Sequence, residues 1–452
     1  MSVVVAAGAA LVLIVGIALL EAFIKRPEVV AMSIFGAMLV VAMLGDPRGF
    51  PILGLPLSVT DGIYILVLLA AIARLLRIRG FTWPDRLLVL IGLLLLFSLA
   101  QGVVDYGDKA TREFRPFVQF FAPAMYFSTV VPTEQMFERI GRVWLWGVGI
   151  LVGLAAVRWI GLLTGIDLGA FEATHVSANF ALRVLDGRES FTVAQTAIML
   201  LPVAAYHPNS RVVRALAIGF GLTTILLNRR TAWVAAIIGL VLLMVRSAYL
   251  RRVLARPLII IAIIAGVAFL MLPQSTESGA TVASSPLDTG TFVGRVEGWQ
   301  YLLAEGPEGV DWLIGTPLGP GFNRPQGAAG REVDTIPHNF YMFIVLRAGI
   351  LGLAMFIGLY VLVLQRLRRW PSGGMLFAPS TLFVALIMQL VFFTTWIAPL
   401  EQGIILGLGC AFLRVRPVAE RPATTLPRDA VKPHGRPARA VTGIPGDITD
   451  AS

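Results

Sequence analysis

Residues 87–104 read "LLVLIGLLLLFSLAQGVV", a run without one charged side chain. About 20 such residues cross the hydrocarbon core of a bilayer as a helix, which satisfies its backbone polar groups within the segment. Working outward, comparable runs fall roughly at 3–22, 28–44, 61–78, 86–104, 116–131, 143–164, 191–206, 211–228, 231–246, 257–273, 348–365, 376–396 and 400–414. They predict an all-α polytopic membrane protein, a bundle of about 12–13 transmembrane helices. Composition agrees, with 57% hydrophobic and 14% charged residues against about 25% charged in a soluble domain. Mean hydropathy is +0.79. The opening "MSVVVAAGAALVLIVGIALLEAF" lacks a basic leader and a cleavage signature, so it reads as a retained helix. Cys410 is the only cysteine, which excludes an internal disulfide and a thiolate metal cluster.

The net charge of +10 does not imply a nucleic-acid partner, because membrane proteins gather Lys and Arg on cytoplasmic loops. Alternate connections carry Lys25 and Arg26; Arg74, Arg77, Arg79 and Arg86; Arg139 and Arg142; Arg211 and Arg214. The series continues with Arg246, Arg251, Arg252 and Arg256, then Arg366, Arg368 and Arg369, then Arg414 and Arg416. Placing that side in the cytoplasm puts the N-terminus outside and the C-terminus inside. The chain then divides into ten helices over 1–273, an extracytoplasmic loop over 274–337, and a His-Asn segment with the last three helices over 338–416. A Pro- and Arg-rich tail over 417–452 lacks any apolar period and reads as disordered. Within the long loop, Val293, Val296, Trp299, Leu302 and Leu303 recur at helical spacing, which predicts an amphipathic helix.

Basic residues that defy the positive-inside bias carry more information than those that obey it. Arg229 and Arg230 lie in "LLNRRTAW", an outer connection with almost no loop. Arg295 lies on the loop helix, Arg183 and Arg188 in "NFALRVLDGRES", and Lys109, Arg112 and Arg115 in "GDKATREFRPF". Any one of them could simply anchor to lipid phosphate. As a set, with few outer acids to pair with, they suit a diphosphate whose lipid tail lies in the membrane. Guanidinium binds phosphate oxygens in pairs and stays charged. Arg230 also starts a helix, whose free amides favour anions.

His338 stands in "DTIPHNFYMFIVLRAGILGL", residues 334–353, at the mouth of an apolar helix. A neutral imidazole there can take a proton from an acceptor hydroxyl; the bland alternative is a helix-start histidine bonded to a backbone carbonyl. His207 falls in a cytoplasmic turn, His434 in the tail, and His175 in an outer loop as a weaker candidate. No HExxH, paired cysteines or acidic cluster suggests a metal, and no Walker loop suggests ATP, so no cofactor is expected. Glu297, Asp311, Glu332 and Asp334 are isolated outer acids, any of which could assist as a base. As one helix, residues 338–365 would be about 42 Å long against a core of about 30 Å. Ala348-Gly349 therefore marks entry into the membrane, His338 and Asn339 lie above it, and Arg347 reaches lipid phosphates at the interface.

"GRVEGWQYLLAEGPEGVDWLIGTPLGPGFN" followed by "PHNFYMFIVLRAGILGLAMFIGLYVLVLQ" resembles the O-antigen ligase and O-antigen polymerase superfamily. The shared features are Gly-Arg with Trp four residues on, a Gly-Pro-Gly turn, His-Asn, and a Gly-x-x-Gly entering the membrane. "NRRTAW" is similar to that family's upstream arginine motif, with Arg230 in the arginine position and Arg229 where serine is common. The resemblance implies a GT-C-like fold and an inverting, metal-independent transfer or polymerisation of a polyprenyl-diphosphate-linked glycan. That chemistry would run at the outer face of a bacterial plasma membrane, in cell-surface polysaccharide synthesis. It implies a lipid-diphosphate glycan donor and a glycan or lipid acceptor, with membrane lipids around them. Arg230 and His338 become catalytic candidates, with Arg229, Arg295, Asn339, Arg183, Arg188, Arg112 and Arg115 binding diphosphate or glycan. Two other readings stay open: a lipid-linked oligosaccharide flippase, which would carry charges at mid-bilayer, and a peptidoglycan-type polymerase with an essential loop acid.

Overall fold

The computed structural model describes residues 2–44, 50–52, 55–78, 80–166, 168, 184–227, 229–255, 290–326, 331–334, 336–370 and 373–415. The expected span at 257–273, the start of the long loop, His175, Arg183, His434 and the tail lie outside them. The remainder is an all-α polytopic membrane protein. Its helices are α1 (Ser2–Lys25), α2 (Pro27–Leu44), α3 (Val59–Arg77), α4 (Trp83–Tyr106), α5 (Asp108–Ser128), α6 (Glu134–Thr164) and α7 (Gly187–Tyr206). They continue as α8 (Arg211–Leu226), α9 (Arg230–Arg246), α10 (Gly290–Glu305), α11 (Asp311–Ile314), α12 (Phe340–Arg368), α13 (Pro379–Phe392) and α14 (Gln402–Ala411). Of these α2, α3, α4, α6 and α12 are long and apolar enough to cross a membrane; α13 and α14 are shorter apolar helices.

Local chemistry sets the helix starts. Ser58 and Asp61 form a capping box at α3, Thr82 and Asp85 do the same at α4, and Thr133 caps α6. α5 and α14 meet almost backbone to backbone. A Cβ on Gly403 would lie 2.1 Å from the Phe120 carbonyl oxygen, and one on Gly407 2.6 Å from that of Ala124. Small residues permit such contact where no hydrophobic drive holds helices together in lipid.

Several arginines of the alternate basic connections gather at one end of the bundle, where they bond helix C-termini. Arg74 donates to the carbonyl of Ile24 and to Thr129, and Arg246 donates to the carbonyls of Arg368 and Trp370. Arg414 pairs with buried Asp85 at 2.7 Å and donates to the Ser128 carbonyl. Carbonyls at helix ends carry partial negative charge and have no partner within the helix, so guanidinium donors suit them.

At the opposite end residues 290–326 of the long connection fold back onto the helices. α10 is the predicted loop helix, but its buried stripe is Gly294, Gly298 and Leu302, while Val293 stays 49% exposed. A short antiparallel hairpin not anticipated in the sequence, β3 (Asn323–Gln326) with β4 (Arg331–Asp334), follows in register Asn323 to Asp334. A second hairpin, β1 (Phe50–Ile52) with β2 (Leu55–Leu57), links α2 to α3.

α12 breaks at Gly349, with φ of 66° and ψ of −174°, where the length argument expected a change. A Cβ there would lie 2.2 Å from the Leu313 carbonyl oxygen, so α11 sits directly against the break. Residues 316–321 wedge between α4 and α12. Thr316 N–H donates to the Leu346 carbonyl at 2.8 Å, Leu318 N–H to the Ser98 carbonyl at 3.2 Å, and Ser98 Oγ to the Thr316 carbonyl at 3.0 Å. This wedge corrects the expectation for Arg347. Its side chain is 3% exposed, pairs with Glu113 at 2.8 Å, and donates to Thr316 Oγ1 and the carbonyls of Pro317 and Gly321. Glu113 in turn accepts from Gly319 and Gly321 N–H at 3.0 and 2.9 Å. Loop carbonyls and a buried carboxylate, not lipid phosphates, satisfy this guanidinium.

Candidate functional site

Pro337 precedes His338, and Asn339 then starts α12 by accepting from Met342 N–H at 3.1 Å. This extended segment is tied down when Phe340 N–H donates to the Phe393 carbonyl at 2.9 Å. The imidazole of His338 meets the indole of Trp396 edge to face, with ring centroids 5.0 Å apart. The guanidinium carbons of Arg229 and Arg295 each lie 5.9 Å from the same indole centroid. Arg295 also donates to the Thr395 carbonyl at 3.4 Å, and Arg229 to the Leu185 carbonyl at 2.9 Å. Arg230 opens α9 beside them, and its charge bears on Arg295. Four sequence candidates thus converge: His338, Arg229, Arg230 and Arg295.

Arg188, at the start of α7, joins them, with Nε 3.3 Å from an oxygen of Asp186. Asp186 caps α7 by accepting from Gly187 N–H at 2.6 Å. Arg324 completes the group. It is 5% exposed, donates to the Phe322 carbonyl at 3.1 Å, and runs along α10 where Gly298 leaves room: a Cβ there would come within 2.9 Å of its Cδ. The remaining described candidates have other partners. Exposed Arg112 pairs with Asp108 at 2.6 Å, and Arg115 pairs with Asp61 at 2.8 Å. Asn339 uses its amide oxygen as a helix cap.

Electrostatics follow from this crowding of cations. Burial, then the nearby charges of Arg295 and Arg324, push the His338 imidazole down to about 4. It is therefore neutral at physiological pH, with a nitrogen lone pair available. Burial, then Arg229 and Arg230, push Arg295 down as well. Guanidinium has a pKa above about 12 and keeps its charge. The site is thus a concentration of positive charge around one neutral base, suited to an anionic group with a hydroxyl beside it.

Trp396, Arg324 and Asp186 are the site residues that reading the sequence missed. Arg324 follows the Gly-Pro-Gly turn in "GPGFNR", a position that could have flagged it. Trp396 gave no signal, because tryptophans near helix ends are common in membrane proteins.

Residues 215–357 match the family model described as O-antigen ligase, and the match supports the O-antigen ligase and polymerase superfamily. It spans Arg229, Arg230, Arg295, Arg324 and His338 and ends short of Trp396. A comparison with curated proteins gives no match. The family match and the apolar helices together support a multi-pass membrane protein with an O-antigen ligase or polymerase type of role in glycan biosynthesis.

Proposed function

We propose that this chain, whose residues 215–357 match the O-antigen ligase family model, transfers a glycan from a polyprenyl-diphosphate lipid to an acceptor hydroxyl at the outer face of a bacterial plasma membrane. The observation that carries the reading is the neutral imidazole of His338 beside Arg229 and Arg295 on a shared indole. His338 takes the acceptor proton as the hydroxyl attacks the anomeric carbon from the side opposite the diphosphate, inverting that centre. Arg229, Arg230 and Arg295 hold the diphosphate and stabilise the charge that gathers on it as it leaves. Arg188 and Arg324 add to the same field. The opposite end of the bundle, rich in the arginines of the alternate connections, then faces the cytoplasm. Transport is less well supported, since the buried pair of Arg347 and Glu113 is closed on itself and on the loop.

The test uses full-length protein in liposomes with an undecaprenyl-diphosphate-linked oligosaccharide and a glycan acceptor. His338→Ala is expected to abolish transfer while still binding the lipid donor, and Arg230→Ala to weaken donor binding. Transfer at the wild-type rate by folded His338→Ala and Arg230→Ala would sink the reading. On the metal-independent reading, a parallel arm with EDTA is expected to leave the rate unchanged.

A further inference from the structure

The turn between α13 and α14 lies beyond the residues that match the family model, yet several groups of the site touch it. The Phe393 carbonyl accepts from Phe340 N–H, two residues beyond His338. The Thr395 carbonyl accepts from Arg295, and Thr395 Oγ1 lies 3.0 Å from Thr231 Oγ1, next to Arg230. The Trp396 indole meets His338, Arg229 and Arg295. The indole itself is fixed. The Trp396 backbone N–H donates to the Phe392 carbonyl at 3.1 Å, and the indole lies within 7° of parallel to the ring of Phe392, which stacks on Phe191 at 4.1 Å. Against its benzo edge packs Gly187, where a Cβ would come within 2.5 Å of Cε2 and Cζ2.

We infer that the turn from Phe393 to Trp396 is the jig of the transfer site, with Trp396 as a positioning residue that holds the His338 base in register with the guanidiniums of Arg229 and Arg295. The inference rests on the proposed transfer chemistry. Trp396 does not itself need to touch the reacting atoms. An indole face attracts a guanidinium through its quadrupole and excludes water from it. It also fixes the imidazole plane, which sets where the proton acceptor points. The jig brings together groups from α9, α10 and the start of α12, so an error at one position displaces the whole constellation. A misplacement of about 1 Å in such an arrangement costs on the order of a hundredfold in rate.

The experiment reads His338 directly as well as the rate. Full-length protein labelled in its histidines, of which the chain has four, is titrated by NMR in detergent micelles, with His338→Ala identifying the resonance. The charged groups facing the imidazole are Arg295, Arg324, Asp186 and Arg188; none of them is substituted in the variants used. Trp396→Leu is expected to move the His338 titration up from about 4 toward the ordinary 6.5 or so, and to cut kcat for the undecaprenyl-diphosphate-linked oligosaccharide at least about tenfold. Trp396→Phe, which keeps an aromatic face, restores most of both. Gly187→Ala, which drives a methyl into the indole without removing it, shifts both readouts in the direction of Trp396→Leu and serves if that variant fails to fold. A wild-type titration and kcat in folded Trp396→Leu or Gly187→Ala would overturn the inference. If His338→Ala transfers normally, the transfer reading fails instead; if His338→Ala is inactive while the Trp396 variants match wild type, only the jig fails.

Discussion

The His338 imidazole sets the acid limb of this site's response to pH. Its proton is disfavoured because burial removes water from the charged form and because Arg295 and Arg324 already supply positive charge. kcat/KM reports groups of the free enzyme, so its acid limb should fall near 4, well below an ordinary histidine. Arg295→Gln removes one of those cations, and a pH-rate profile of that variant should show the limb displaced upward. The same group makes stability depend on pH. The unfolded chain takes up the proton near 6.5, the folded one only near 4, so this contribution is complete above that window and declines as pH falls through it. Arg347 poses the opposite case, a charge whose whole environment is protein. Arg347→Leu strands the Glu113 carboxylate, a loss of about 3–5 kcal/mol for a broken buried pair. Chemical unfolding in micelles should register it. Nothing near Arg347 in the sequence announces this, since its partner sits on α5, far upstream, and neighbouring apolar residues give the impression of a helix meeting lipid headgroups.

Elements were more legible than partners. Each apolar run among the described residues became a helix, because a segment in lipid must satisfy its own backbone polar groups. The excess length of 338–365 over the bilayer singled out Ala348-Gly349 as the point of membrane entry, and the helix breaks at that residue, though the break itself was not anticipated. The buried face of α10 was legible only at Leu302, because the rest of its contact stripe is Gly294 and Gly298, which carry no apolar signal, and Gly298 acts by letting Arg324 approach. Gly349 permits a testable claim at this scale. Its φ of 66° is unfavourable for any side chain, and a Cβ would strike the backbone of Leu313. Gly349→Ala should therefore cost about 1–3 kcal/mol from strain alone, with more from the collision. Hydrogen exchange should show loss of protection at Thr316 and Leu318 N–H, the wedge bonds nearest the break, before loss elsewhere.

At the scale of the whole molecule, the two ends differ in what their arginines do. At one, guanidiniums close off helix C-termini; at the other, Arg188, Arg229, Arg230, Arg295 and Arg324 cluster around one base. Cys410 is buried, so the wild-type chain offers a quiet background for labelling. Lys109→Cys, exposed at the His338 end, should react in intact cells with a membrane-impermeant maleimide, and Arg211→Cys, exposed at the other end, only after permeabilisation. The reverse pattern would invert the orientation proposed here. The distribution of the site along the chain has a further consequence, in time rather than space. Its groups come from residues 186–188, 229–230, 295, 324, 338 and 393–396, and chains fold from the N-terminus as they are made, at about 5–20 residues per second. A nascent chain already holds its base and every clustered arginine tens of residues before the turn that aligns them is synthesised. If the site performs the proposed transfer, that competence is among the last properties the protein acquires, and a growing chain would not consume its donor while α13 and α14 are still being translated.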